Sequence, residues 1–329
     1  MRRTGLKHQR LSRKPQGVHK ASVPRGHWPN RQNARDLTSV LDEVLCSEAR
    51  YADRPIHWPG ALSSKVAKAR KIAVIKRLRR YGKKFKAAAE LAEVLDGCRR
   101  GHRCRSASCP ECFRAWQGWI VNQTIKVACQ DTYPHLKVLA VSIAIAGCQR
   151  PSGQLDSLNV PKLSRRARRV LAASKAVEWA ILGLDLSLND ERQLGRGRHW
   201  QPQLFGFVAT SNPKALRSAM KSAFRPRPGV TKPSWMKEYD GSPLTASYAF
   251  KADAVLRISY FDSDRTHPCT NTRKVRLPAP AHVEYLLFQD QLKFFGRLVL
   301  FKIRKSWRAD GLNLEVAKMR PLKARNGRK

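Results

Sequence analysis

From Ser63 to Leu95 the chain reads SSKVAKARKIAVIKRLRRYGKKFKAAAELAEVL, with a serine at its start and apolar residues recurring every three or four positions. That spacing predicts helix, and Gly82 is expected to split it in two. Phe113 to Ala128 repeats the amphipathic pattern, with Trp116, Ile120 and Ile125 on its core side. The period then changes. LKVLAVSIAIAG (136–147) is β-rich and largely apolar, as a central strand would be. ILGLDLSLN (181–189) alternates, placing Asp185, Ser187 and Asn189 on one face and Leu184, Leu186 and Leu188 on the other. HWQPQLFGFVAT (199–210) reads as a second strand entered through Pro202. Helices are expected over 36–46, 162–177 and 213–224, the last capped by Asn212 or Ser211 with Pro213 in its first turn. A Pro-, Gly- and Arg-rich loop (225–234) leads to a short helix (244–253), a strand (254–262) and a long apolar helix (284–307).

This succession predicts an α+β fold: a ferredoxin-like antiparallel sheet with helices on one side. Four segments follow from it. Residues 1–60 form a basic, largely disordered arm, because the first 35 residues hold ten Lys or Arg and no acid. Residues 61–135 carry basic helices and a cysteine-rich turn, 136–262 the sheet core, and 263–329 a C-terminal helix and basic tail.

Charge narrows the function. Lys and Arg number 65 against 24 Asp and Glu, a formal net charge of +41 over 329 residues. Such an excess repels itself unless a polyanion binds, and nucleic acid rewards dispersed Lys and Arg by counterion release. An acidic membrane surface is the rival partner, but no run approaches the roughly twenty apolar residues of a spanning helix and the basic segments lack a strong apolar face with anchoring Trp, so nucleic acid is expected instead. Within the helical stretch, Lys71, Lys76, Arg77, Arg79 and Arg80 stand almost unrelieved by acid and are the candidate nucleic-acid contacts.

Four cysteines lie within CRRGHRCRSASCPEC: Cys98, Cys104, Cys109 and Cys112. Cys109-Pro-Glu-Cys112 supplies the two-ligand knuckle of a tetrahedral zinc site, and Cys98 and Cys104 can close it across a short loop. His102 could replace one thiolate. Nothing in MRRTGLKHQRLSRK reads as a secretory signal, so a cytoplasmic, nucleoid- or plasmid-associated location is expected, where clustered thiols serve metals rather than disulfides. Four protein ligands leave no open position, so this zinc would be structural.

The knuckle with Cys-Pro-x-Cys, then GLDLSLN, HWQPQLFGFV and SYAFK, resembles the zinc-bearing rolling-circle replication initiators of bacterial plasmids and phages, which belong to the HUH endonuclease superfamily. The resemblance spans roughly residues 90 to 262. It implies a ferredoxin-like sheet whose strand carries two histidines for a divalent metal, Mg or Mn, and a helix whose tyrosine attacks the scissile phosphate. It makes 136–262 an HUH-like nuclease or DNA-binding core. Tyr248 matches the nucleophile and Lys251 its companion, three residues on and expected on the same helix face. The histidine positions fall on Gln203 and Phe205, which are poor ligands or none. His199 and Asp185 could join Gln203 in a makeshift set. The resemblance implies DNA as partner, single-stranded or as an origin hairpin, with a host helicase as a further partner. Two functions follow: a tyrosine nickase with a degenerate metal site, or a non-catalytic, zinc-containing nucleic-acid-binding or regulatory protein.

Overall fold

The computed structural model describes residues 62–99, 101–129, 135–227, 230–262, 269–308 and 311–317. The basic arm, the helix expected over 36–46 and the end of the basic tail lie outside the described residues.

Three helices lead. α1 (Ser64–Gly82) starts where the Ser63 hydroxyl accepts a hydrogen bond from the Val66 amide. It ends at Gly82, where a Cβ would stand 2.9 Å from that of Ala89, so only glycine lets α2 (Lys86–Asp96) fold back closely. α3 (Pro110–Ala128) begins on the knuckle, with Cys109 as its cap residue and Pro110 in its first turn.

The sheet is built from β1 (Lys137–Ala144), β2 (Arg150–Pro151), β3 (Val177–Asp190), β4 (Arg198–Thr210), β5 (Ser234–Glu238), β6 (Val255–Asp262), β7 (Cys269–Val275) and β8 (Leu298–Phe301). Its main path runs β5-β1-β4-β3-β6-β7, with β2 on β4 and β8 on β3. Between its strands lie α4 (Val160–Ala173), α5 (Pro213–Ala223), α6 (Pro243–Ala249) and α7 (Ala279–Leu292). Asn212 caps α5 by accepting from the Ala215 amide. A hairpin, β9 (Ile303–Arg308) and β10 (Gly311–Val316), lies against α3, where the Trp119 indole donates to the Leu312 carbonyl.

The α+β class agrees with the sequence, but four particulars differ. The sheet is mixed, because β6 runs parallel to β3. Helices cover both faces: α4 and α5 pack on the side of Leu184, Leu186, Leu204 and Val208, while α3 and α6 pack on the side of Ile181, Phe205 and Phe207. The helix expected over 284–307 stops at Leu292, and the chain returns to the sheet as β8. A short apolar run such as LVLF fits helix and strand alike, and the open outer edge of β3 decides for strand. Strands β5 and β7 fall where the sequence suggested loop or tail.

The outer edge of β3 changes partner midway. β8 pairs with Ala180–Gly183 and β6 with Ser187–Asp190, leaving residues 184–186 without a ladder on that side. The buried Arg297 guanidinium fills the gap, donating to the carbonyls of Leu184 and Lys251. On the opposite core, Glu284 of α7 is buried and accepts from the backbone amides of Gly153 and Leu155 and from the Trp200 indole. Burial pushes its carboxyl above the usual range despite those donors.

At the β3–β4 turn, Asp190 is buried and meets Arg192 at 2.8 Å and Arg198 at 2.7 Å. Burial opposes its charge, but the two guanidinium groups outweigh it and hold the carboxyl down at about 2 against an ordinary 3.8. A lowered native value means stability that is present above the ordinary pKa and is lost as pH falls toward 2. Urea melts between pH 5 and 2 should therefore show Asp190→Asn destabilised at pH 5, with a flatter acid dependence than the native chain; parallel curves would sever this link.

Candidate functional site

The four cysteines converge. Their sulfurs lie within 4.8 Å of one another, and among the described residues they form the one group of three or more His, Cys, Asp or Glu able to hold a metal ion. Cys98 stands 3.5 Å from Cys112 and 3.8 Å from Cys109, and Cys104 stands 3.6 Å from Cys112. Tetrahedral thiolates about 2.3 Å from a central ion sit about 3.8 Å apart, so the spacing suits a metal such as zinc. As thiols they divide: hydrogen bonding with Cys104 pushes Cys98 and Cys109 below the usual thiol range and Cys112 above it. His102 is exposed and exchanges backbone hydrogen bonds with Arg99, outside this group.

Several cations of α1 are spent inside the protein. Lys71 donates to the Cys98 carbonyl at 2.9 Å and pairs with Glu111, tying α1 to the knuckle. Burial disfavours its charge, but Glu111 outweighs that and the ammonium titrates above its usual range. Arg77 donates to His282 Nδ1 on α7; burial, then Arg77 itself, holds that imidazole down at about 4, so it is neutral and can accept. Arg79 bridges Glu93 and Asp96 of α2 at 3.4 and 2.8 Å. Lys76 and Arg80 remain exposed on the outer side.

The tyrosine site forms on the other arm of the same core. Tyr248 of α6 is 43% exposed, and its ring meets Phe205 of β4 edge-on, centroids 5.4 Å apart. Lys251 Nζ lies 4.3 Å from the centre of the Tyr248 ring and 2.7 Å from the Asp185 carboxylate of β3. α6 ends at Ala249, so Lys251 follows the helix rather than sharing a face of it with Tyr248. The backbone after Phe250 is held elsewhere: Arg297 binds the Lys251 carbonyl, and Tyr285 and Gln289 donate to that of Ala252. Those captured carbonyls turn Lys251 back toward Asp185. Gln117 of α3 donates to the Ser247 carbonyl and hydroxyl, which connects the site to the knuckle helix.

Register shows which sequence candidates meet. Asp185 is the cross-strand partner of Gln203, and Gly183 that of Phe205. Gln203 donates to the Ser142 hydroxyl of β1. His199 pairs instead with Asn189, four residues along β4 from Gln203, which is about 13 Å at strand rise. The makeshift set of Asp185, His199 and Gln203 is not brought together. Nor do the remaining groups suit a divalent ion: Phe205 has no lone pair, and Asp185 is committed to Lys251.

One residue on this face escaped the sequence reading. Trp235 of β5 is the register partner of Ser142, which is the partner of Phe205. Directly paired side chains share a face, so the indole, 50% exposed, stands in the same row as Phe205 and Tyr248. An exposed Trp between Pro233 and a Lys in a strand-length segment was the available signal.

α6 reaches the sheet because position 183 is glycine: a Cβ there would stand 2.5 Å from the Ala249 carbonyl oxygen and 3.0 Å from the Phe250 ring. Gly183→Ala should lower the unfolding free energy by about 1–3 kcal/mol in urea melts. Gly197→Ala, with nothing within 4 Å of the added carbon, should change it by less than about 0.5 kcal/mol.

Comparison with protein-family models, with characterised proteins and with solved structures finds no match to this chain.

Proposed function

We propose that the chain is a DNA-binding protein related to rolling-circle replication initiators, with its metal-dependent nicking chemistry lost. One observation carries this reading: Tyr248 and Lys251, singled out in the sequence as nucleophile and companion, stand over β4 at Phe205, one of the two positions where the resemblance expects metal-binding histidines. Strand order supports the kinship. Taken in chain order, β1, β3, β4 and β5 lie as 4-1-3-2 with antiparallel neighbours and helices α4 and α5 between them, an order that supports a ferredoxin-like reading of this part of the mixed sheet. The net charge of +41 supplies the electrostatic drive toward a polyanion.

Loss of chemistry follows from the donor set. With Phe205 and Gln203 in place of histidines, and His199 about 13 Å away along β4, no imidazole of this strand stands beside Tyr248 to hold a divalent ion against a phosphate. Lys251 leaves one cation beside the tyrosine, partly neutralised by Asp185. A cation so placed can attract a phosphate; it does not supply the two-sided polarisation of a metal site.

The purified protein, mixed with single-stranded DNA and magnesium or manganese, should shift the DNA on native gels and leave no adduct on denaturing gels. Tyr248→Phe should bind within about twofold of the native chain, since the ring contact to Phe205 and Lys251 survives. A covalent band that disappears in Tyr248→Phe would overturn the loss of chemistry; absence of any salt-sensitive binding would overturn the DNA reading.

For the cysteine cluster the reading is a structural zinc. It would pin the end of α2, which leads into Cys98, to the start of α3 at Cys109 and Cys112. Elemental analysis should then find one zinc per chain. Cys109→Ser with Cys112→Ser should remove it and unfold the α1–α3 region, lowering soluble yield before it affects DNA binding. A soluble, zinc-free double variant with native melting would refute the assignment.

A further inference from the structure

Beyond the end of β1 lies a cavity of about 300 Å³ lined in part by Arg166, Arg225 and Arg227 and, among the described residues, by no acidic residue. Arg166, on α4, is fixed in place: it donates to the Ala223 carbonyl at the end of α5, and its guanidinium lies 5.2 Å over the centre of the Phe224 ring. Arg225 and Arg227 are exposed, and among the described residues neither has an acidic partner. Arg227 is set by backbone hydrogen bonds exchanged with Val230, and its Nη1 lies against the turn at Gly147 that follows β1. Three guanidinium groups around one small hollow repel one another, and a bound anion would offset that repulsion. The planar fork of arginine suits a phosphate in particular.

The cavity lies toward the α4 and α5 side of the sheet and meets the row already described at the rim beyond β1 and β5. Ala144 and Pro233 both line it, the Ala144 amide donates to the Pro233 carbonyl, and two residues further along β5 stands the exposed indole of Trp235. From Trp235 the row passes Ser142 to Phe205, with Tyr248 above it, a span of two strand spacings or about 10 Å. A positively charged hollow beside an aromatic face at that spacing is the arrangement by which single strands are held without reading their sequence.

We propose that the arginine cavity and Trp235 form one track for single-stranded nucleic acid, a backbone phosphate seated among Arg166, Arg225 and Arg227 and a base stacked on Trp235. The track rests on the DNA-binding reading above and leads a strand toward Tyr248.

The test is binding of a fluorescent single-stranded thymidine oligonucleotide, followed by anisotropy over a range of salt concentrations, with inorganic phosphate as a second probe. Arg225→Gln with Arg227→Gln should weaken binding about tenfold and reduce the slope of log affinity against log salt by roughly one. Trp235→Ala should weaken it about tenfold with an unchanged slope, and the quenching of intrinsic fluorescence on binding should shrink. Lys214→Gln with Arg217→Gln removes two exposed charges from α5 outside the cavity lining and should cost less than threefold. All five positions are exposed, so native melting is expected in each variant. Oligonucleotide binding that survives both cavity and Trp235 variants overturns the track while leaving DNA binding intact. Phosphate binding that depends on Arg225 and Arg227, with no oligonucleotide binding by the native chain, overturns the track and the DNA reading together.

Discussion

The register of β3 against β4 governs everything on the face that carries Tyr248. The two strands pair from Val177 against Thr210 to Asp190 against Arg198, with one irregularity near Trp179. A slip of β3 by a single residue would send Asp185 into the leucine core and bring Leu184 and Leu186 out beneath α6. Nothing local to those polar residues prevents this. The leucines do, by filling the layer under α4 and α5, and Asp190 locks the turn with two arginines. The site is thus positioned mainly by the side of the sheet it does not occupy.

The same economy shows in how charge is used. A chain with an excess of basic residues this large might be expected to hold them all toward solvent. Instead, Lys71, Arg77 and Arg79 join α1 to the knuckle, to α7 and to α2, while Arg297, buried, completes the backbone of β3 where its ladder breaks. Cations with exposed partners contribute little each. Arg297 is different, because its donors meet carbonyls that would otherwise stand unpaired in the core, and losing one partner of such a contact costs the desolvation of the other. With these internal roles subtracted, Lys76 and Arg80 on α1 and Arg225 and Arg227 beside the end of β1 are among the cations that face outward.

What was legible in the sequence was what depends on local pattern. The alternation of GLDLSLN placed Asp185 and Ser187 opposite the leucines, Gly82 broke the first helix, and Asn212 capped α5. The clustering of four thiols followed from their spacing, although the exclusion of His102 did not, since it depends on where a single loop turns. Illegible features were those decided by distant partners. β5 is five residues long and exists because β1 offers an edge. β8 took a run that reads as helix because β3 had an open stretch between Ala180 and Gly183. Lys251 met Tyr248 not through the helical spacing that suggested the pair but because Arg297, Tyr285 and Gln289 capture the carbonyls just after α6.

That last contrast bears on the chemistry. Had α6 continued through Asp253, the spacing of three would have laid Lys251 along its own helix, and Asp185 would have faced Gln203 with no cation between them. By ending the helix early, the fold inserts an ammonium group beside Asp185, close to where the resemblance would set a metal. A fixed ammonium differs from a divalent ion in carrying half the charge and offering no vacant coordination position. It therefore favours holding a phosphate over activating it, and an exposed tyrosine above Phe205 then offers a ring face to a base as readily as a hydroxyl to a phosphate. On the proposed function the row from Trp235 to Tyr248 would grip a strand, and the histidines that cutting would need are absent from positions 203 and 205.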